Sequence, residues 1–381
     1  MCGRRAPRTR AAVVAFLAAL LAASCGYVPQ ETAQPSAVGS GPEQTAQPPA
    51  FASGPEQTAQ PPAVASGPEQ TAQPPAGVTG TPQSASPPPT SSLANGSWTA
   101  MTEAPTALTE VAAAEHAGAI WVAGGFDADG QAVLTVQIYD PDGDSWSTGP
   151  ELPQPVHHAA LVSTGDELLL IGGYVGNRLG QPTAAVRRLD ADGASWVDGP
   201  SLPEARAAGA AAWDGTRVLY GGGVGPDGLS GAILALEGGD WRPVELLTQA
   251  REHLAAASDG AGRVWFLGGR TGGLDSNLAT VDLVEGNTVR AVSEVPTARG
   301  GVAAFWSDAH GACLVGGEQP GGTLGEVECI APDGETVTLP ELAFPRHGLG
   351  AAVVDGVAHA LLGGPEPGLT VGPVVEALIL E

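Results

Sequence analysis

Adjacent glycines recur six times along this chain at almost constant spacing. The second glycine of each pair is Gly125, Gly173, Gly222, Gly269, Gly317 and Gly364, at intervals of 48, 49, 47, 48 and 47 residues. A repeat of that length is one supersecondary unit used again. No such unit buries its apolar face alone, so neighbouring units must stack into a common core. The repeat therefore limits the fold before any single residue is weighed, and it favours a rigid binding face over a catalytic machine.

The units share an internal order. A short apolar run leads into each pair (AIWVAGG, LLLIGG, RVLYGG, VWFLGG, CLVGG, HALLGG). Unbroken apolar runs of this length, ended by glycine, read as strands buried on both faces. A Gly/Pro/Asp-rich loop follows, then a third strand such as TVQIY, a tight turn such as DPDGDS, and a strand opening on Trp146, Trp196 or Trp241. The next unit starts with a strand of small residues, AAGAAAW or GVAAFW, suited to a crowded inner position. Val289 and Val337 stand where the fourth and fifth units lack the Trp, so those units are expected to be less regular.

The glycine pairs, the YDPDGDSW turn from Tyr139 to Trp146 and the Arg that opens several inner strands resemble the kelch repeat family, over about Ser97 to Glu381. The resemblance implies an all-β, six-bladed β-propeller of four-stranded blades around a channel. The last unit stops after three strands. The segment SWTAMTEAP, with Trp98 and Pro105 seven apart, reads as the missing fourth strand, so pairing of the two chain ends is expected to close the ring and remove its sheet edges.

Residues 1–24 read as an export signal. Arg4, Arg5, Arg8 and Arg10 precede an apolar stretch, Ala11 to Ala23. Its 13 residues fall short of the roughly 20 a membrane-spanning helix needs. LAAS before Cys25 resembles a bacterial lipobox, which implies lipid attachment at Cys25; an ordinary secretory signal is the alternative. Gly26 after it is a slight pointer to the outer membrane or cell surface. Residues 25–96 form a Pro/Gln/Ala-rich tether containing a 13-residue unit that starts at Ser40, Ser53 and Ser66. Its apolar content is too low for a core, so it is expected to be disordered and to act as a spacer. Residues 97–381 make the propeller.

All 16 basic residues are arginine. Removal of the signal leaves 12 against 41 acids, a formal charge of −29. That disfavours nucleic acid, and leaves the lipid anchor as the only expected membrane contact. It favours solubility, cations, or a ligand held in a local basic pocket; an unidentified protein or carbohydrate ligand is the expected partner.

Four of the 12 arginines, Arg206, Arg251, Arg299 and Arg346, open inner strands and should converge at one channel mouth. His157 or His158 holds the matching place in the second unit, and Leu108 or Thr109 in the first. Convergent guanidinium groups suit a carboxylate; the alternative is a structural role, bonded to loop carbonyls and acids. Glu252, His253 and His347 lie beside these arginines, where they could move protons. The Asp runs at 127–129, 140–144 and 190–192 read either as turns or as calcium loops, with the 127 run the better calcium candidate. Cys313 and Cys329 sit on neighbouring strands of one hairpin and are expected to form a disulfide, with two buried thiols as the alternative. No metal-ligand cluster or cofactor motif stands out. Copper oxidases with kelch repeats use tyrosine and cysteine at the metal, and Tyr27, Tyr139, Tyr174 and Tyr220 are too few and misplaced for that activity.

The sequence thus points to noncatalytic binding of a protein or carbohydrate at a propeller face. Periplasmic sialic acid mutarotases have a similar six-bladed fold, so a mutarotase or epimerase acting on an acidic sugar is one alternative. A structural envelope protein is another.

Overall fold

The computed structural model describes residues 96–177 and 180–381. The export signal, Cys25 and the tether as far as residue 95 lie outside the described residues. Among the described residues the architecture is all-β, with a single 3-10 turn at Leu274–Ser276. No helix among them is long and apolar enough to cross a membrane.

Among the described residues, six four-stranded antiparallel sheets follow one another in sequence. Their innermost strands are Ala112–His116, Ala160–Ser163, Ala210–Trp213, Ala255–Ser258, Ala303–Ser307 and Gly350–Val354. Each of these packs beside the next, and the last packs beside the first. Alanine and glycine supply most of their inward positions, lining a narrow axial channel of about 110 Å³. Small side chains are what permit this crowding. The second strands Leu168–Ile171, Val218–Gly221 and Gly311–Val315 are buried along their whole length between neighbouring sheets.

The sixth sheet takes strands from both chain ends: Thr99–Ala100 pairs antiparallel with Val375–Ile379. Trp98, 7% exposed, donates its indole N–H to the carbonyl of Pro340, 2.8 Å away in the preceding unit. Trp146, Trp196 and Trp241 make the same reach to Thr102, Pro150 and Pro200. Trp98 therefore does for the sixth sheet what the other tryptophans do for theirs. Val289 and Val337 cannot donate, yet the strands Thr288–Ala291 and Thr336–Leu339 still form.

The glycine pairs have a specific task. The first glycine of each lies against a carbonyl of the next unit; a Cβ on Gly124 would meet Val156 O at 2.3 Å, and one on Gly172 would meet Arg206 O at 2.3 Å. Both glycines of a pair adopt positive φ, a region that penalises side chains. The second then donates its N–H to that same carbonyl: Gly125 to Val156, Gly173 to Arg206, Gly269 to Arg299 and Gly317 to Arg346. This pattern corrects two of the positions read from sequence. In the third unit the pair is Gly222–Gly223, because Gly223 donates to Arg251 O. In the sixth it is Leu362–Gly363, with Leu362 at φ 58° and Gly363 donating to Leu108 O. Gly364 stands one residue further on.

Cys313 and Cys329 face each other across paired strands and are joined by a disulfide. The Asp runs are turns: Asp127 Oδ1 accepts the amides of Asp129 and Gln131, Asp140 Oδ1 that of Asp142, and Asp190 Oδ1 that of Ala194.

Candidate functional site at the channel mouth

The accepting carbonyls identify one equivalent residue per unit: Leu108, Val156, Arg206, Arg251, Arg299 and Arg346. The second unit thus places Val156, not His157 or His158, at the arginine position. Nor do the arginines face a ligand. Arg251 and Arg299 are wholly buried and Arg346 nearly so. Arg251 donates to Gly268 O, Phe266 O and Asp282. Arg299 bonds Leu314 O and Glu328. Arg346 bonds Leu362 O, Ala360 O and Glu376. Asp282, Glu328 and Glu376 occupy the same register position on their third strands. In the third unit that position is Leu234, and Arg206 bonds the carbonyl of Ala232 while its nearest carboxylate is Glu204 at 3.9 Å. In the first unit Leu108 is matched by the uncharged Gln137. Buried acid accompanies buried base, which is how a desolvated charge is kept tolerable. The expected guanidinium ring at the mouth is corrected accordingly: these arginines hold loops together inside the sheets.

Two residues further along each unit the backbone turns into the mouth. Glu110, His158, Ala208, His253, Gly301 and Gly348 all adopt φ between 52° and 66°. They bond in succession: the amide of His158 donates to Glu110 O, Ala208 to His158, His253 to Ala208, Gly301 to His253 and Gly348 to Gly301. Val111 N then donates to Gly348 O. The left-handed conformation is forced by this circuit, and it turns the side chains of Glu110, His158 and His253 toward one another. His158 Nε2 lies 3.2 Å from Glu110 Oε2 and 3.0 Å from His253 Nε2.

The residue between these two layers pairs with the residue just after each glycine pair, as in Thr109 with Phe126, Glu252 with Arg270 and His347 with Gly364. These bridges raise the mouth wall. Arg270 Nη1 donates to Glu318 at 2.8 Å, and its Nε lies 3.5 Å from Glu252. His347 Nδ1 is 3.4 Å from Glu110 and 3.8 Å from Glu318. His157 is buried behind the wall, stacked between Phe126 and Tyr174, with Nδ1 2.5 Å from Nδ1 of His158. Glu110, His158, Glu252, His253, Arg270, Glu318 and His347 line a cavity of about 390 Å³, flanked on its apolar side by Phe126 and Leu369. A larger cavity of about 650 Å³ lies elsewhere, beside Trp213 and the half-exposed Glu167–Arg188 pair. It gathers no comparable set of buried ionisable groups, so the mouth is the stronger candidate.

The electrostatics divide the mouth. Burial pushes His158 down to about 3, against the pull of the Glu110 charge. Burial also opposes the charge on His347, but the hydrogen bond and charge of Glu110 and the charge of Glu318 outweigh it and push His347 up. Burial likewise works against ionising Glu110, and the surrounding histidines overcome it, holding its carboxyl well below the usual range. Glu252 is lowered too, its burial outweighed by His253 and Arg270. The arrangement sets the carboxylates of Glu110, Glu252 and Glu318 against the Arg270 guanidinium and the raised His347. It can take up a cation, accept hydroxyl protons, or hold a metal on Glu110, His158 and His253, whose ligand atoms all lie within 4.8 Å of one another.

Of the mouth residues, Glu252, His253 and His347 stand out in the sequence, whereas Glu110, Arg270 and Glu318 do not; His158 belongs to the mouth layer and not to the arginine layer where it was expected.

A kelch motif model matches residues 107–153. The chain is 32% identical over 79 residues to the spermatocyte protein spe-26 of Caenorhabditis elegans, 21% of this chain and 14% of that one. It is 36% identical over 77 residues to Kelch-like protein 41b of Danio rerio, 20% and 13% of the two chains. It is 32% identical over 63 residues to alpha-scruin of Limulus polyphemus, 16% and 7%. The chain thus matches only about 7 to 14% of the length of these curated relatives. Among solved structures it is similar to that of YjhT, a kelch propeller, with a TM-score of 0.62 at 14% identity, over 72% of this chain and 95% of that one. The chain carries a kelch motif and shares the propeller fold; at this identity the likeness concerns fold alone.

Proposed function

We propose that this chain is an extracytoplasmic binding protein, exported by residues 1–24, anchored through Cys25 and held off its membrane by the tether. In this reading its folded part is a six-bladed kelch-type propeller closed by pairing of Thr99–Ala100 with Val375–Ile379, and it binds a small polar ligand at the axial mouth. The observation that carries the binding reading is the cavity of about 390 Å³, into which buried ionisable groups converge from different sheets. A few convergent polar groups beside an apolar wall are what a small-ligand site needs. Since the buried arginines are already matched by acids and carbonyls, the mouth suits a neutral or amino sugar better than an acidic one. Titration of the full chain with neutral, amino and acidic sugars tests this. Binding of a neutral or amino sugar, weakened at least 10-fold by Glu252→Gln, is expected. A preference for the acidic sugar overturns the ligand class.

One observation favours a second reading, a sugar mutarotase. The ionised Glu110 and the raised His347 lie 3.4 Å apart beside the cavity. Anomer exchange needs a base to take the anomeric hydroxyl proton and an acid to protonate the ring oxygen. Exchange followed by NMR decides it: a rate equal to the blank removes the enzyme reading and leaves the binding one.

A further inference from the structure

We propose that Glu110 Oε2, His158 Nε2 and His253 Nε2 form a three-ligand site for a divalent first-row transition metal of the zinc type. The proposal goes beyond the sugar-binding reading, which does not require it. Zinc bonds imidazole nitrogen and carboxylate oxygen at about 2.0–2.2 Å, so ligand atoms around a tetrahedral ion stand about 3.3–3.5 Å apart. His158 Nε2 already meets Glu110 Oε2 at 3.2 Å and His253 Nε2 at 3.0 Å. The remaining separation, Glu110 to His253, is no more than 4.8 Å, and a modest rotation of the Glu110 side chain closes it.

The outer nitrogens support this assignment. His253 Nδ1 lies 3.3 Å from Glu252 Oε2, and His158 Nδ1 lies 2.5 Å from His157 Nδ1. A proton held at each Nδ1 leaves both Nε2 lone pairs aimed at the centre. The Glu252 carboxylate beside His253 is the kind of neighbour that fixes the ring and tautomer of a metal ligand, and the His157 ring stands in that place for His158. Glu110 is steadied from behind by His347 through its other oxygen. Two Nε2 atoms and a carboxylate oxygen facing one another present several lone pairs for a shared proton to satisfy, whereas one cation satisfies all three groups. The set of two imidazoles and one carboxylate suits zinc-like ions rather than magnesium or calcium. The backbone is set as well: all three ligands sit at the same repeat position in the hydrogen-bonded circuit. The other three positions carry Ala208, Gly301 and Gly348, which leaves that part of the mouth open for a water or an exogenous ligand on the ion.

Equilibrium dialysis of the chelator-treated full chain against Zn²⁺, paired with Co²⁺ absorption spectra, tests the site. One equivalent per chain is expected, with d–d bands of a four- or five-coordinate ion. His158→Ala and His253→Ala should each weaken binding at least 100-fold, and Glu252→Gln by about 10- to 100-fold. His310→Ala, on a loop away from the mouth, should bind like the parent chain. A folded parent chain that takes up no metal overturns the proposal, as does an equivalent retained by the His158→Ala, His253→Ala double variant. A second readout needs no variant: Zn²⁺ should shift the ring NMR signals of His158 and His253, and shifts confined to His116 and His310 also overturn it. Running the sugar titration in chelator keeps the two ideas separable, because either can fail while the other stands.

Discussion

Two layers of the propeller, two residues apart in each unit, use charge in opposite ways. The inner layer holds Arg206, Arg251, Arg299 and Arg346, buried and in three cases matched to a carboxylate at one register position. The mouth layer holds Glu110, His158 and His253 at positions that elsewhere carry only Ala208, Gly301 and Gly348. The inner layer is regular because it solves the same packing problem in successive units. The mouth layer is irregular because no packing requirement repeats there. In a repeat protein of this kind, regularity marks scaffold and departure from it marks a site.

The strongest way to break that contrast is to unbalance the inner layer. Arg346→Leu leaves Glu376 buried without its partner and should destabilise the fold by about 3–5 kcal/mol. Replacing both, Arg346→Leu with Glu376→Leu, should restore much of the loss, since an apolar pair of similar volume often equals a buried ion pair. Urea denaturation of both variants measures it. If Arg346→Leu instead kept full stability and lost sugar or metal binding, the inner layer would belong to the site and the contrast would fall.

The same layers explain what the sequence made legible. The glycine pairs were visible because positive φ and close approach to a carbonyl demand glycine, and that demand recurs. Their register was less visible. Three glycines in a row at Gly221 to Gly223 admit two pairings, and Leu362 replaces a glycine while its backbone keeps the left-handed turn. The arginines were legible as a repeat, but their partners lie 29 to 31 residues on, across a third strand whose alignment depends on loop length. Glu110 was hidden among 41 acids with no local motif around it. One signal could have found it: aligning the units on the residue two beyond each arginine position puts Glu110, His158 and His253 in one column.

Histidine sharpens the comparison, because it occurs in both settings. His359 lies in the scaffold, buried on the second strand of the sixth sheet, with Nδ1 3.1 Å from Val357 O and its ring near Tyr139. Burial pushes it down to about 4. A histidine depressed in the folded state binds its proton more readily when unfolded. Its contribution to stability is therefore complete above about pH 6.5 and fades as pH falls toward 4, a loss on the order of 3 kcal/mol. Melting curves across that window should show the decline, and His359→Asn should lessen it, the remainder coming from His158, which burial also depresses. An unchanged slope in the variant would mean the scaffold histidine does not set the acid limit.

The smallest effect on stability is expected at the mouth, and it is the most discriminating. His253 holds φ 53°, a conformation that disfavours a β-carbon by roughly 1–2 kcal/mol and that glycine adopts freely. Gly301 and Gly348 already occupy the equivalent positions. His253→Gly should therefore leave stability within about 1 kcal/mol of the parent, because relief of the backbone offsets the packing lost with the ring. The same substitution removes one of the three metal ligands and should weaken metal binding at least about 100-fold, as expected for His253→Ala. A side chain kept where glycine fits better is retained for something other than folding. A large loss of stability in His253→Gly would instead make the mouth histidine part of the scaffold, and the two layers would then differ in degree only.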